Sequence, residues 1–487
     1  MRRWTNGWRW WALWTLVAAL YLAVAVSRGL QACPDGLIRD GICRQMLANQ
    51  TAGRQGLISS VWWGPASTLS VLPGAFVLRD DAAGLGPVAA SAWFGAGVLV
   101  LLERALRRRG AGAWRLALVA AVGLDPGFVT ECTTGSGAPL TIVLIVAATE
   151  ALVGWLEERR LRDLVVAGLA LGILLATGFD AWGWVGAGIL VLVVAELRRH
   201  RPGVRGERRA VLILGLLPLL YVLGLWLLLC WLIMGDPFYL LRSLSDPGPG
   251  PGHGFALPGP VAAWYGGAMV LAVGNALLAV TRRRHGEVAL ALLVLGLPAS
   301  AGLLAGRGLL WSPAPLLAAL PALLAFSLGR TLVGRRGAGV LGWAFGVGAV
   351  AVCLMMTVQQ PFNGQAMEGR ASAVESMRSL SALERHVDGP ARFAKVFVCG
   401  YDSFAFLRDG ASPTFVHALD FNFDKAKRDY YGHTLFVLVR RPEQRFAMDS
   451  VHRKYPSIFI QGGPDTLYDS DWGEWRLFEM IQPLRTR

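Results

Sequence analysis

The sequence predicts a polytopic α-helical membrane protein with about eleven transmembrane helices and a small C-terminal α/β domain. Its 487 residues are 54% hydrophobic and only 16% charged, so a soluble fold would have too few polar side chains to cover its surface. Apolar runs of about 16 to 26 residues, long enough to cross a bilayer, recur along most of the chain. Arginine clusters occupy every second gap between these runs, which is typical of a multi-pass protein.

Eleven apolar runs are predicted to span the membrane. The first has a basic start followed by Trp8, Trp10 and Trp11 and shows no small-residue cleavage site. We therefore interpret it as an uncleaved span rather than a secretory signal. The predicted spans lie near residues 8–30, 83–103, 114–131, 138–156, 163–178, 181–197, 210–234, 259–281, 287–305, 308–329 and 338–358.

The arginine clusters predict the orientation, because short arginine-rich loops stay in the cytoplasm. The N-terminus then lies inside, and an odd number of spans places the C-terminal domain outside the cytoplasmic (inner) membrane. The net charge of +14 is concentrated in these loops, which favours contact with the lipid bilayer's anionic headgroups and no nucleic acid partner. The arginine-rich gaps lie near residues 104–115, 159–162, 198–209, 282–284 and 330–336.

One apolar segment does not fit this count. Val61–Leu78 is apolar enough to cross the membrane, but it contains Pro65 and Pro73, and a crossing there would invert every later loop. We predict a juxtamembrane or re-entrant helix within an outward loop, 31–82. Irregular backbone at membrane depth must be buried in protein or line a cavity, which suits a substrate site.

The six cysteines contain no CxxC pair, so a zinc or iron–sulfur centre is not indicated. Cys33 and Cys43 share the first outward loop, where an oxidising compartment permits a disulfide. The sequence leaves open whether these two residues pair or remain free thiols.

The composition changes after residue 359 to that of a soluble domain. We divide the chain into a transmembrane domain, 1–359, and an extracytoplasmic α/β domain, 360–487. In the second domain Glu368–His386 predicts a helix, and short β-branched and aromatic runs predict strands. The predicted strands are Lys395–Cys399, Thr414–Leu419, Thr434–Val439, Ser457–Gln461 and Trp475–Met480.

Carboxylates on the outward side are the candidate site residues, because an acidic group near the bilayer is expensive and tends to be kept for function. Asp35 and Asp40 lie in PDGLIRDGICRQML, Asp125 and Glu131 in GLDPGFVTE, and Asp180 in TGFDAWGW. A single carboxylate suffices to deprotonate an acceptor hydroxyl while a phosphate leaves. The alternatives are solvated loop acids at the first two positions and helix caps at Asp125 and Asp180.

A leaving phosphate requires an outward cation, and Arg307 and Arg242 are the candidates we favour. Arg307 lies in AGRGLLWSP, in a tight turn between two predicted spans, where a guanidinium can bind a phosphate with two hydrogen bonds. The alternative for Arg307 is contact with lipid phosphate. Histidines in the C-terminal domain have no metal-ligand spacing, so no metal site is predicted, although a divalent metal is compatible with the sequence.

The order of these features resembles the GT-C-type membrane glycosyltransferases, which include protein O-mannosyltransferases, lipid A aminoarabinose transferases and arabinofuranosyltransferases. RDGICRQMLANQ matches the acidic motif in the first outward loop of that superfamily, and WWGPASTLSVLPG resembles the proline-containing segment after it. Further similarity lies in DPGFVTECTTGSGAPLTIVL, WLIMGDPFYLL and GRGLLWSPAPLLAALPAL. The resemblance implies that Asp40 is the catalytic base, that Arg307 lies near the lipid phosphate, and that the donor is a polyprenyl-phosphate sugar.

Two positions depart from the family pattern. Small residues at Ser136–Ala138 replace the family's second acid, and Gly41 stands where many members have Glu. We expect an inverting glycosyltransferase acting on an extracytoplasmic glycan, lipid or protein, with the other outward acids shaping its pocket. The alternative is a non-catalytic membrane subunit whose C-terminal domain recruits extracytoplasmic protein partners. A transporter is disfavoured, because the middle of the predicted spans is nearly free of ionisable residues.

Overall fold

A computed structural model of the chain describes most of the transmembrane domain and parts of the C-terminal domain. The described residues are 7–29, 32–59, 64–78, 84–197, 205–239, 259–282, 285–306, 314–333, 338–359, 395–398, 415–417, 435–441, 451, 455–463, 466–472 and 475–481.

The N-terminal part is a helical bundle, and each predicted span is largely covered by helix. Among the described residues six helices are long and apolar enough to cross a membrane, or seven if the bent pair α7 and α8 forms one span. The multi-pass class is therefore confirmed, while the number eleven stays a prediction. The helices are α1 (Gly7–Ser27), α2 (Pro34–Leu47), α3 (Thr51–Ser59), α4 (Pro65–Leu69), α5 (Leu72–Val77), α6 (Leu85–Arg108), α7 (Arg115–Gly123), α8 (Pro126–Thr133), α9 (Ala138–Glu158), α10 (Leu161–Leu175), α11 (Trp182–Leu197), α12 (Arg205–Met234), α13 (Gly259–Arg282), α14 (His285–Gly306), α15 (Ala314–Leu332) and α16 (Ala338–Gln359).

Ion pairs join the arginine-rich ends of the helices. Arg109 at the end of α6 lies 2.7 Å from Glu157 at the end of α9, and Arg330 near the end of α15 pairs with the same carboxylate. Arg159 pairs with Glu196 at the end of α11. The structure thus gathers these arginine-rich helix ends on one side of the bundle, which agrees with the alternation read from the sequence. The candidate acids follow the opposite ends of the helices.

The predicted juxtamembrane segment is broken into two short helices. α4 begins at Pro65, and α5 begins at Leu72 with Pro73 as its second residue; Ser70 and Val71 separate the two helices. Neither is long enough to cross a bilayer, which requires about 20 apolar residues. Residues 61–63 of the predicted segment lie outside the described part of the chain.

The C-terminal domain contains a five-stranded sheet in the order β2-β1-β3-β5-β4. The strands β1 to β3 are parallel, and β5 pairs antiparallel with β3 and β4. Phe397, Val437 and Phe478 are buried in its core. The strands are β1 (Lys395–Val398), β2 (Phe415–His417), β3 (Leu435–Arg440), β4 (Thr466–Trp472) and β5 (Trp475–Met480).

Two features of this domain differ from the prediction. Ser457–Gln461 was expected to be a strand, but Ile458–Gln461 forms a short helix that ends at Gly462, whose φ is +77°. A short apolar run does not distinguish strand from helix. The strand β4 was missed because its aspartates disfavour strand structure, whereas its pairing with β5 stabilises it. The predicted helix Glu368–His386 lies outside the described residues.

Candidate functional site

The N-terminus of α2 is fixed by Cys33. Its backbone N–H donates to the carbonyl of Thr134 at 2.6 Å, and its sulfur caps the helix by accepting from the N–H of Gly36. Cys43, farther along α2, donates its S–H to the carbonyl of Thr68 at 3.2 Å. Both cysteines are free thiols in the structure, and burial raises the pKa of each to about 12.

Two neighbouring segments converge on α2 through Arg39. This guanidinium donates from Nη1 to the carbonyl of Ser67 on α4 at 3.1 Å and from Nη2 to the carbonyl of Gly135. The α4 segment is joined in turn to the end of α10, because the N–H of Gly64 donates to the carbonyl of Thr177 at 2.8 Å. α2, α4, the 134–137 loop and the turn after α10 therefore form one site.

Two glycines permit the close approach of α2 to the 134–137 loop. A Cβ at Gly36 would lie 2.6 Å from the carbonyl oxygen of Gly135, which is closer than van der Waals contact allows. Gly135 itself has a φ of +76°, a left-handed conformation that is strained for residues with a side chain. The small residues of TTGSGAP are therefore required for packing against α2, whatever their role toward substrate.

Asp35 lies where α2 meets this loop. Its Oδ2 accepts a hydrogen bond from the N–H of Gly137 at 3.4 Å and lies 3.9 Å from Nη2 of Arg39, and its side chain is 20% exposed. Its other oxygen, Oδ1, has no hydrogen-bond partner among the described residues. Burial raises the pKa of Asp35 above its usual range, and Arg39 and the Gly137 N–H oppose that rise.

Asp40, the residue assigned as base from the family resemblance, has a different environment. Its carboxylate is fully buried, and Oδ2 accepts from Nε of Arg44 at 2.8 Å. Arg44 also donates to the carbonyl of Leu78, after α5. This geometry is that of an ion pair that joins α2 to α5 rather than of a carboxylate open to substrate.

Asp125 is also fully buried, and its contacts favour the capping alternative. Oδ1 accepts from the N–H of Phe128 at 2.9 Å, so Asp125 caps α8. Oδ2 accepts from Nε1 of Trp264 at 2.8 Å, and Tyr265 donates to Oδ1 at 3.3 Å. Both oxygens are thus occupied by contacts that pack α13 against the bend between α7 and α8, which measures 59°.

The two remaining acids lie near α2. Glu131, on α8, is partly exposed and close enough to act electrostatically on Cys33. Asp180 lies in the 3₁₀ turn Phe179–Ala181 after α10, and its Oδ1 accepts a hydrogen bond from the N–H of Ala181 at 3.0 Å. Its carboxylate is near enough to Asp35 for the two charges to interact. The structure therefore groups Asp35 with Glu131 and Asp180 and leaves Asp40 and Asp125 buried beside them.

Sequence reasoning did not single out Arg39 as a buried contact of the site. The sequence did contain a signal for this contact: Arg39 follows Asp35 by four residues, and this spacing places both side chains on one helix face. The two predicted phosphate ligands, Arg242 and Arg307, lie outside the described residues. Among the described residues no group of three His, Cys, Asp or Glu side chains is arranged to hold a metal ion.

No family profile matches the chain, and no curated protein is similar to it in sequence. Several solved structures match its fold, and two of them illustrate the likeness over nearly its whole length. ArnT from Cupriavidus metallidurans bound to undecaprenyl phosphate aligns with a TM-score of 0.56 and 14% identity, covering 97% of this chain and 98% of ArnT.

The second structure is the archaeal oligosaccharyltransferase AglB from Archaeoglobus fulgidus, in complex with an inhibitory peptide and a dolichol-phosphate. It aligns with a TM-score of 0.52 and 11% identity, covering 97% of this chain and 74% of AglB. Both proteins are GT-C glycosyltransferases. The predicted resemblance is therefore confirmed at the level of architecture, and the chain has the fold of the GT-C-type membrane glycosyltransferases.

Proposed function

We propose that the protein is a membrane glycosyltransferase that moves a sugar from a polyprenyl-phosphate donor to an extracytoplasmic acceptor, with Asp35 as the general base. The fold supports the reaction class, since ArnT is seen with undecaprenyl phosphate and AglB with a dolichol-phosphate. The base assignment moves from Asp40 to Asp35 because of their different accessibility.

The environment of Asp35 is the observation that carries this proposal. A general base must reach the proton that it removes, and Asp35 is 20% exposed, whereas Asp40 is fully buried. Oδ1 of Asp35 is itself enclosed and has no hydrogen-bond partner among the described residues, so a bound acceptor hydroxyl would supply its missing contact. The desolvation that raises the pKa of Asp35 also makes the ionised carboxylate a stronger base.

In the proposed reaction the acceptor hydroxyl gives its proton to Asp35. The acceptor oxygen then attacks the anomeric carbon from the face opposite the phosphate, the bond between that carbon and the phosphate oxygen breaks, and the polyprenyl phosphate leaves as an anion. This displacement inverts the configuration at the anomeric carbon. We assign Glu131 and Asp180 to the pocket for sugar and acceptor, and Arg307 and Arg242 to the leaving phosphate.

The test is transfer of radiolabelled sugar from a panel of polyprenyl-phosphate donors in membranes that contain the wild type, D35N or D40N at matched protein levels. We expect transfer by the wild type and by correctly folded D40N, and none by D35N. Transfer by D35N equal to that of the wild type would overturn the base assignment. Absence of transfer by every form, with acceptor-containing membranes supplied, would favour the non-catalytic subunit.

A further inference from the structure

Arg39 is a buried cation whose contacts all lie at the candidate site. Its side chain is only 1% exposed. It donates to two backbone carbonyls, those of Ser67 and Gly135, while its Nε has no hydrogen-bond partner among the described residues. Two neutral carbonyls do not balance a buried positive charge. The carboxylate near this guanidinium is that of Asp35, at 3.9 Å.

Among the described residues, the surroundings of Asp35 contain little positive charge besides Arg39. From the 134–137 loop Asp35 receives the Gly137 N–H, which is neutral. Glu131 lies near Cys33, at the N-terminus of α2, and Asp180 is close enough for Asp35 to act on it electrostatically. Both of these neighbours are acidic, so Arg39 is the described cation that favours the charged form of Asp35.

We propose that Arg39 is a positioning residue. It keeps Asp35 ionised and aligned, and it does not touch substrate. The inference rests on the proposed function of Asp35 as base. Arg39 holds α2, α4 and the 134–137 loop in register, and the same guanidinium supplies the charge that opposes the effect of burial on Asp35. A lysine retains this charge, whereas a glutamine retains part of the hydrogen bonding without it.

The first test measures ionisation of Asp35 without any substrate. Detergent-solubilised protein is treated with a water-soluble carbodiimide and a small amine over a range of pH, and labelling of Asp35, which requires its protonated form, is quantified by mass spectrometry. We expect the labelling midpoint of R39Q to lie at higher pH than that of the wild type, and that of R39K to stay near the wild type. R108Q, which removes a half-exposed arginine from the arginine-rich end of the bundle, is the control and should leave the midpoint unchanged.

The second test follows sugar transfer as a function of pH. We expect R39Q to lose roughly tenfold or more of its transfer at neutral pH and to recover at alkaline pH, since loss of a nearby opposite charge makes a carboxyl harder to ionise. A purely structural Arg39 would instead lower transfer equally at every pH and lower the melting temperature. That result, or an unchanged midpoint in R39Q, would overturn the proposal.

The outcomes for Arg39 and for the proposed function are separable. If D35N still transfers sugar while R39Q shifts the labelling midpoint, the base assignment is wrong and the electrostatic role of Arg39 stands. If R39Q does not fold, R39K decides: a midpoint near the wild type supports the role of charge, and one displaced to higher pH overturns it.

Discussion

Helix α2 carries two aspartate–arginine pairs with the same spacing of four residues, and their environments differ. Asp35 lies 3.9 Å from Arg39 and keeps a fifth of its side chain exposed. Asp40 lies 2.8 Å from Arg44 and is fully buried. In the first pair the arginine is the more buried partner and the acid opens toward the site. In the second, both partners are buried and join α2 to the segment after α5.

This difference shows why an acidic motif alone does not identify a base. A carboxylate in a short buried ion pair has its charge neutralised and its approach blocked, so it contributes to structure. A carboxylate with a longer contact to its cation and a partly exposed side chain can exchange a proton with a substrate.

The largest effect should follow from D35N. Loss of a general base typically lowers the rate by roughly 10²- to 10⁴-fold, so we expect transfer to fall by that factor while the protein level in membranes stays the same. Sugar transfer per molecule of purified protein measures it, with E158Q as control, because Glu158 lies exposed at the arginine-rich end of the bundle. A fall in sugar transfer of less than threefold would contradict the assignment of Asp35 as the base.

D40N should act on stability rather than on chemistry. Removal of one partner from a buried ion pair destabilises a fold by about 3–5 kcal/mol, because the remaining charge is left uncompensated. We expect a lower melting temperature in detergent, with transfer per folded molecule retained. The double variant D40L/R44M removes both charges and should recover much of this stability. A D40N protein as stable as the wild type would show that the pair does not support the fold.

G36A tests the close approach of α2 to the 134–137 loop. The added Cβ would lie 2.6 Å from the Gly135 carbonyl oxygen and 3.1 Å from Pro87 Cβ, and overpacking of this kind costs about 1–3 kcal/mol. The melting temperature should fall, and transfer should fall with it because Asp35 is displaced from Gly137. G186A is the control, since a Cβ on that helical glycine meets nothing within 4 Å. Equal melting temperatures for the two variants would contradict the packing argument.

The smallest effect concerns the stability cost of keeping Asp35 charged. Its raised pKa means that the folded state binds a proton more tightly than the unfolded state does, so this carboxyl supports folding at low pH. That contribution is lost as pH rises through the folded pKa. We therefore expect the melting temperature of D35N, relative to that of the wild type, to increase from acidic to neutral pH. A relative melting temperature that decreases over this range would contradict the sign.

Much of the architecture could be predicted from the sequence. Apolar length and alternating arginine clusters predict the multi-pass bundle, because both reflect the bilayer as solvent rather than any tertiary contact. Pro65 and Pro73 favoured a juxtamembrane or re-entrant helix over a crossing, and each lies in the first turn of a short helix in the structure. Four of the five predicted strands were correct, whereas Ser457–Gln461 was wrong because a short apolar run carries no periodicity that separates strand from helix.

The different roles of the acids could not be predicted from the sequence. Asp35, Asp40 and Asp125 look alike in sequence, each beside glycine or proline in an outward segment. Burial separates them, and burial depends on segments far away along the chain: the 134–137 loop beside Asp35, α5 beside Asp40, and Trp264 beside Asp125.

Hydrophobicity and charge act locally, so the sequence is enough to predict the class of protein, the positions of its helices and the set of candidate carboxylates. It does not predict that Asp35 keeps an exposed side while Asp40 is enclosed with Arg44. Access and electrostatic environment are set by neighbours that meet when the chain folds, and Arg39 joins three such segments at one guanidinium.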